Sequence, residues 1–111
     1  MSHADVYATV SPIVPCCHME WPDDTNPPVP FACYLLDYET PFTASDEEIA
    51  VKRRWMVELY ERRRDPVLEK ALGDALRGRF TCVRRDENWI ENDNLLQVVY
   101  TFYEIEGDFD G

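Results

Sequence analysis

Lysine and arginine are absent from the first 51 positions and from the last 26 of this 111-residue chain, glycine occurs only four times, and histidine only twice. Each shortage excludes a kind of chemistry. With so little glycine there is no G-x-G-x-x-G turn and no P-loop to cradle a phosphate. His3 and His18 both lie near the N-terminus, and neither H-E-x-x-H nor G-x-S-x-G occurs, so no catalytic constellation assembles from motifs. The four cysteines, Cys16, Cys17, Cys33 and Cys82, contain no C-x2-C pair, the spacing that zinc sites use. Residues adjacent on a strand point to opposite faces, so "CCH" offers neither a metal cluster nor a Cys17–His18 dyad. Reduced thiols, no metal and no cofactor are the expectation. The chain also lacks any run near the ~20 apolar residues of a membrane span. "MSHADVYATV" has no basic n-region, so it does not read as a secretory signal, and a soluble cytosolic protein is expected. The acidic doublets Asp23–Asp24 and Glu47–Glu48 are expected in loops, where solvation or a protein contact explains them. An enzyme is not expected.

What is present suffices for a single core. Hydrophobic residues make up 45% and aromatic residues 13%, enough for one folded domain over residues 1–111 and too short a chain for two. Residues 106–111, "EGDFDG", read as a flexible acidic tail. Charge is segregated within the net −11. Residues 1–51 carry −9, residues 52–85 carry +6, and residues 86–111 carry −8. Within the basic middle, "KRRWMVELYERRRDP" holds six of the eleven basic residues.

Periodicity gives the elements. "SHADVYATVS" predicts a short helix with Ser2 as N-cap, Asp5 in the first turn and Val6 and Val10 on one face; Pro12 and Pro15 stop it. "CCHMEW" predicts a short strand, "PDDTNPPVP" a loop and "FACYLLDY" a second strand. "ETPFTASDEE" reads as a ten-residue acidic loop carrying Phe42. "AVKRRWMVELYE" alternates, with Val51, Trp55, Val57 and Leu59 on one face and Lys52, Arg54, Met56, Glu58 and Tyr60 on the other. Arg53 breaks the pattern, which places it near an exposed strand start. "RDPVLEKALGDALRGRF" predicts a helix with Asp65 as N-cap, Pro66 at its first position and Gly78 as its stop. Leu68, Ala71, Leu72, Ala75 and Leu76 are its expected apolar stripe. "FTCVRRDENWIENDNLLQVVYTFYEIEG" predicts two strands joined at "ENDN". The order indicates an α+β fold: an antiparallel sheet of four to five strands with two helices packed on one face.

Read in series, "PPVPFACYLL", "TPFTASDEEIAVKRRWMVELYERRRDPVLEKAL" and "ENWIENDNLLQVVYTFYEIEG" resemble the small neck and tail-completion proteins of long-tailed bacteriophages and prophages, nearest to the tail-terminator type. The resemblance spans residues 12–106 and is carried by serial order. The vicinal cysteines and the acidic tail depart from the pattern. It implies a structural virion protein without an active site, assembled in the bacterial cytoplasm and housed in the neck at the top of the tail. Such a subunit caps the tail tube as a ring, typically of six copies, with the major tail tube protein on one side and a head-completion or connector protein on the other. DNA passes through the ring, with no sequence-specific nucleic-acid binding and no membrane. Terminator, head-completion and connector stations all remain compatible with it.

That reading gives the basic segment a purpose other than DNA binding. A DNA-binding domain carries a basic footprint and a high pI, whereas this chain has a pI near 4.4. A heterologous ring needs two different, complementary surfaces on one chain. Lys52, Arg54, Arg62, Arg63 and Arg64 are the expected basic side of a subunit or tube interface, and Phe42, Asp46, Glu47 and Glu48 the complementary side. The competing class is a small acidic inhibitor or immunity-type protein, monomeric and steered to a basic target by charge.

Overall fold

The computed structural model describes residues 3–18, 29–45 and 47–107. The first helix, α1 (His3–Val10), buries Val6 and Val10 completely and ends before Pro12. Its expected cap, Ser2, lies outside the described residues. A three-residue strand, β1 (Cys16–His18), runs parallel to β2 (Phe31–Ala44), so the five-stranded sheet of this α+β fold is mixed at one edge and otherwise antiparallel as expected. Parallel neighbours must be joined by a connection that returns to the same end of the sheet. Most of the expected proline-rich loop, with Asp23 and Asp24, lies outside the described residues.

The remaining strands are antiparallel: β3 (Glu47–Glu61), β4 (Thr81–Ile90) and β5 (Leu95–Gly107), in the spatial order β1-β2-β3-β5-β4. The register puts Trp55, Val57 and Leu59 of β3 beside Phe102, Tyr100 and Val98 of β5. Leu36, Tyr34 and Ala32 flank them from β2. These side chains share one face, and α1 and the second helix, α2 (Pro66–Arg79), cover it through Val6, Val10, Leu72 and Leu76. Each such fully buried aliphatic side chain is worth about 1.5–3 kcal/mol against exposure.

Helix α2 begins as its sequence dictates. Asp65 is extended and accepts from the Leu68 N–H at 3.1 Å, with Pro66 following at the first helical position. Its stop differs from expectation. Gly78 lies inside the helix, and the chain leaves it at Phe80, whose N–H donates to the Leu76 carbonyl at 2.8 Å. Phe80 drops into the core, 4.5 Å from the Phe102 ring centre, so packing ends this helix and a left-handed glycine is not needed. The buried stripe is also rotated from the expected one: Glu69, Leu72, Gly73 and Leu76 face inward while Ala71 is exposed. Gly73 lies against the Tyr100 ring, where a Cβ would sit 3.4 Å away, at the edge of ordinary contact. The Tyr100 hydroxyl in turn donates to the Glu69 carbonyl at 2.7 Å.

Three further expectations are corrected. The acidic "loop" is the end of a long β2–β3 hairpin, with Ala44 paired to Glu47 and Ser45 in the left-handed region at φ 53°. Threonines and Phe42 suit a strand, and Pro41 is tolerated because β1 pairs only with residues 32–34, leaving β2 an edge strand beyond them. Arg53 is mid-strand on the Trp55 face, 17% exposed, bonding Glu39 at 2.8 Å and Glu104 at 3.2 Å. Its register neighbours on both sides are these carboxylates, so it obeys the alternation as the base of a three-strand ion ladder. Residues 106 and 107 belong to β5, and only the rest of the expected tail lies outside the described residues.

The cap on α2 gives a direct test. Asp65→Ala removes the one side-chain acceptor at the helix start and should lower unfolding free energy by ~1 kcal/mol in urea titrations, with the far-ultraviolet circular dichroism unchanged. An unchanged midpoint would mean that the cap contributes nothing.

Candidate functional site

The fold divides the basic segment into cations already held and cations left over. Lys52 sits over the Tyr103 ring, 4.1 Å from its centre. Arg54 reaches Asp37 at 2.9 Å and lies 5.8 Å from the Tyr38 ring centre. Arg64 turns back toward the helix layer, with Glu69 at 3.3 Å and Glu87 as a second ion-pair partner. Arg62 and Arg63, just past the end of β3, are exposed and have no hydrogen bond or ion pair among the described residues.

At the other end of β3 is the hairpin tip. Glu47 and Glu48 are exposed and likewise lack partners among the described residues, while Asp46 lies outside them. Beside them Phe42 and Ile49 are 40% and 42% exposed, a large apolar contribution for a tip held by only two strands. Thirteen extended residues, 49–61, separate the two groups. At roughly 3.3 Å per residue that is a span of roughly 45 Å. It nearly equals the molecule's 51 Å long axis. The acidic tip and the two free arginines of one chain therefore cannot meet.

Beneath Arg62 and Arg63 the helix-facing side carries an unusual group of carboxyls. Glu61 continues the inward phase of Val57 and Leu59 and is 2% exposed. Glu69 reaches it from α2 and is 6% exposed. One oxygen of Glu69 takes both Arg64 and Arg85, and its other oxygen has no donor among the described groups. Glu61 meets the Glu69 carboxyl and the Asp65 backbone N–H, which holds its pKa down somewhat, but no charged donor among the described groups. Burial pushes Glu61 up to about 7, and the facing Glu69 carboxyl adds to the rise. Two carboxyls in contact satisfy each other only when one keeps its proton. Glu69 has the two guanidinium groups, so Glu61 keeps it. A cavity of about 210 Å³ opens here, lined by Val29, Pro30, Glu61, Arg62, Arg63 and Asp65.

Two of the four cysteines, Cys16 and Cys33, are packed, and Cys82 is exposed. Cys16 packs at the core margin, and burial followed by the neighbouring Cys17 pushes its thiol up to about 11, far from a thiolate at neutral pH. Cys17 and Cys33 are register partners on adjacent strands, and none of the four cysteines forms a disulfide. His18 is exposed and lies 5.2 Å from the Tyr34 ring centre.

Of the residues expected at an interface, the fold groups Arg62 with Arg63 and, at the far end, Phe42 with Glu47 and Glu48. It ties Lys52, Arg54 and Arg64 to partners within the chain. Glu61, Glu69 and Arg85 escaped the sequence reading. The signal was there: Glu61 falls on the apolar phase of its strand, and Glu69 lies three residues before Leu72 and seven before Leu76, on the buried helix face. Comparison with protein-family models gives no match to this chain, and comparison with curated proteins gives none either.

The carboxyl pair makes stability depend on pH in a defined direction. Folded Glu61 holds a proton that the unfolded chain has already lost above its ordinary value of 4.5. Its stabilisation is complete below that value and disappears as pH rises through about 7. Glu87 and Asp74, held low by Arg64 and Lys70 respectively, contribute with the opposite sign, so the difference between variant and parent isolates Glu61. Glu61→Gln, which mimics the protonated form, should gain on the parent by a few kcal/mol between pH ~5 and pH ~8 in denaturant midpoints. A constant difference across that range would contradict the shared proton.

Proposed function

We propose that this chain is a structural subunit of a bacteriophage neck, a terminator-type protein that assembles head to tail into a ring on the tail tube and joins it to the DNA-filled head. One observation carries the assembly reading. Two unpaired surfaces of opposite charge lie at opposite ends of a single strand, too far apart to pair within one chain and free to pair between copies. Such a contact is heterologous, and it closes into a ring when the rotation per step divides a full turn. The exposed Phe42 beside the acidic tip supplies the apolar area that a charge contact alone lacks. The partners follow from the sequence resemblance: further copies of the chain, the tail tube protein and a head-completion or connector protein. Its sixfold stoichiometry and its station in the neck rest on that resemblance too. No enzymatic step is assigned.

The fold also decides which charges to change. Arg64 is engaged with Glu69 and Glu87, so its reversal would place a third carboxylate among them and disturb folding. The informative variant is Arg62→Glu with Arg63→Glu. Mass photometry, on the chain alone and with tail-tube lysate, should show assembly weakened at least ~30-fold, the equivalent of losing ~2 kcal/mol at a desolvated pair. Adding Glu47→Lys and Glu48→Lys should restore it. Normal assembly by the first variant would sink the end-to-end contact, and a parent chain that stays monomeric even with tail tubes would favour the small acidic inhibitor.

A further inference from the structure

We infer that Glu61 is a proton-operated control on the Arg62–Arg63 surface: protonated, it leaves both arginines free to take carboxylates from another molecule, and ionised, it draws them back. The committed occupant is the acidic hairpin tip of a second copy, Glu47 and Glu48, so the identity of the partner rests on the proposed end-to-end assembly.

The geometry behind this is a single cavity lined by four charged residues. Glu61 forms one wall and Arg62 and Arg63 others, with Asp65 beside them and Val29 and Pro30 closing the β2 side without charge. Every element packed around Glu61 has its charges accounted for. From α2 comes Glu69, its accessible oxygen already holding Arg64 and Arg85. From β4 come Arg85 and Glu87, which are paired to each other as well. From β5 comes Tyr100, whose hydroxyl is spent on the Glu69 carbonyl. An ionised Glu61 therefore finds two uncommitted cations within its own cavity, Arg62 and Arg63, and these are the two that the partner needs.

The change falls in a usable range, because burial and Glu69 place the Glu61 proton near neutrality. Among Glu61, Arg62, Arg63 and Asp65, loss of that proton takes the net charge from +1 to zero. Anion binding and protonation of Glu61 then reinforce each other, and by linkage each must strengthen the other equally.

The test separates the switch from the ring. Binding of a hexaglutamate peptide to the full-length chain, followed by NMR at about pH 6 and about pH 8.5, reports on the arginine surface whether or not copies assemble. One linked proton weakens binding by up to about tenfold per pH unit above its midpoint. The parent should therefore bind more weakly at the higher pH, by up to about thirtyfold for a midpoint near 7. Glu61→Gln should bind at the higher pH as the parent does at the lower, and Arg62→Glu with Arg63→Glu should bind at neither. Sedimentation velocity of the same three proteins should follow the same pattern for assembly. If binding is independent of pH in the parent, or keeps its pH dependence in Glu61→Gln, the switch is overturned even when the chain forms rings. If binding follows Glu61 but the chain never assembles, the switch stands and the ring reading falls.

Discussion

Strand β3 is hydrogen-bonded along both edges for most of its length, to β2 on one side and β5 on the other, and the rest of the molecule is arranged by that pairing. Its inward residues Trp55, Val57 and Leu59 are 1% exposed or less and form the floor on which both helices rest. Register is fixed because a slip by one residue would turn these three outward and bring Arg54, Met56 and Glu58 in. The same strand runs past the core at both ends. Its start rides out on the hairpin with Glu47 and Glu48, and its end delivers Glu61, Arg62 and Arg63. One strongly determined strand thereby holds two surfaces of opposite charge at a set distance.

Most of the chain's positive charge is consumed in offsetting its excess of acid. Arg53 sits between Glu39 and Glu104, Arg64 and Arg85 share Glu69 and Glu87, and Arg79 reaches Asp5. The exposed pairs, such as Lys70 with Asp74, contribute little each. The buried ones matter more because removing a partner strands a carboxylate in a poor solvent. Three exposed arginines, Arg62, Arg63 and Arg84, have no hydrogen bond or ion pair among the described residues, and the interest of Arg62 and Arg63 is that they are adjacent and share a cavity with Glu61.

Local chemistry made much of this readable from sequence. Asp65 and Pro66 announce the start of α2, the alternation around Trp55 gives the face of β3, and "ENDN" marks the β4–β5 turn. The failures have physical causes. Ser45 and the acidic residues after it read as loop, but the threonines and Phe42 before it and Glu47 and Glu48 beyond pair as strands. Arg53 looked misplaced because its two carboxylate partners lie 14 and 51 residues away in the chain. The helix stripe includes Glu69 and Gly73, which pack toward Tyr100, a contact invisible to periodicity. The carboxyl pair likewise joins a strand end to a helix face, and only the fold brings Glu61 to Glu69.

The central claim is that the acidic tip and the arginine surface meet between copies and never within one. Zero-length carbodiimide cross-linking of an Arg63→Lys variant measures this most directly. The sample is an equal mixture of nitrogen-15-labelled and unlabelled chains, assembled with tail tubes where the chain alone stays monomeric. End-to-end assembly predicts cross-linked peptides that join position 63 to Glu47 or Glu48 and pair labelled with unlabelled halves about as often as random mixing allows. Assembled particles that yield no such peptide, or yield it only with both halves carrying the same label, would contradict it.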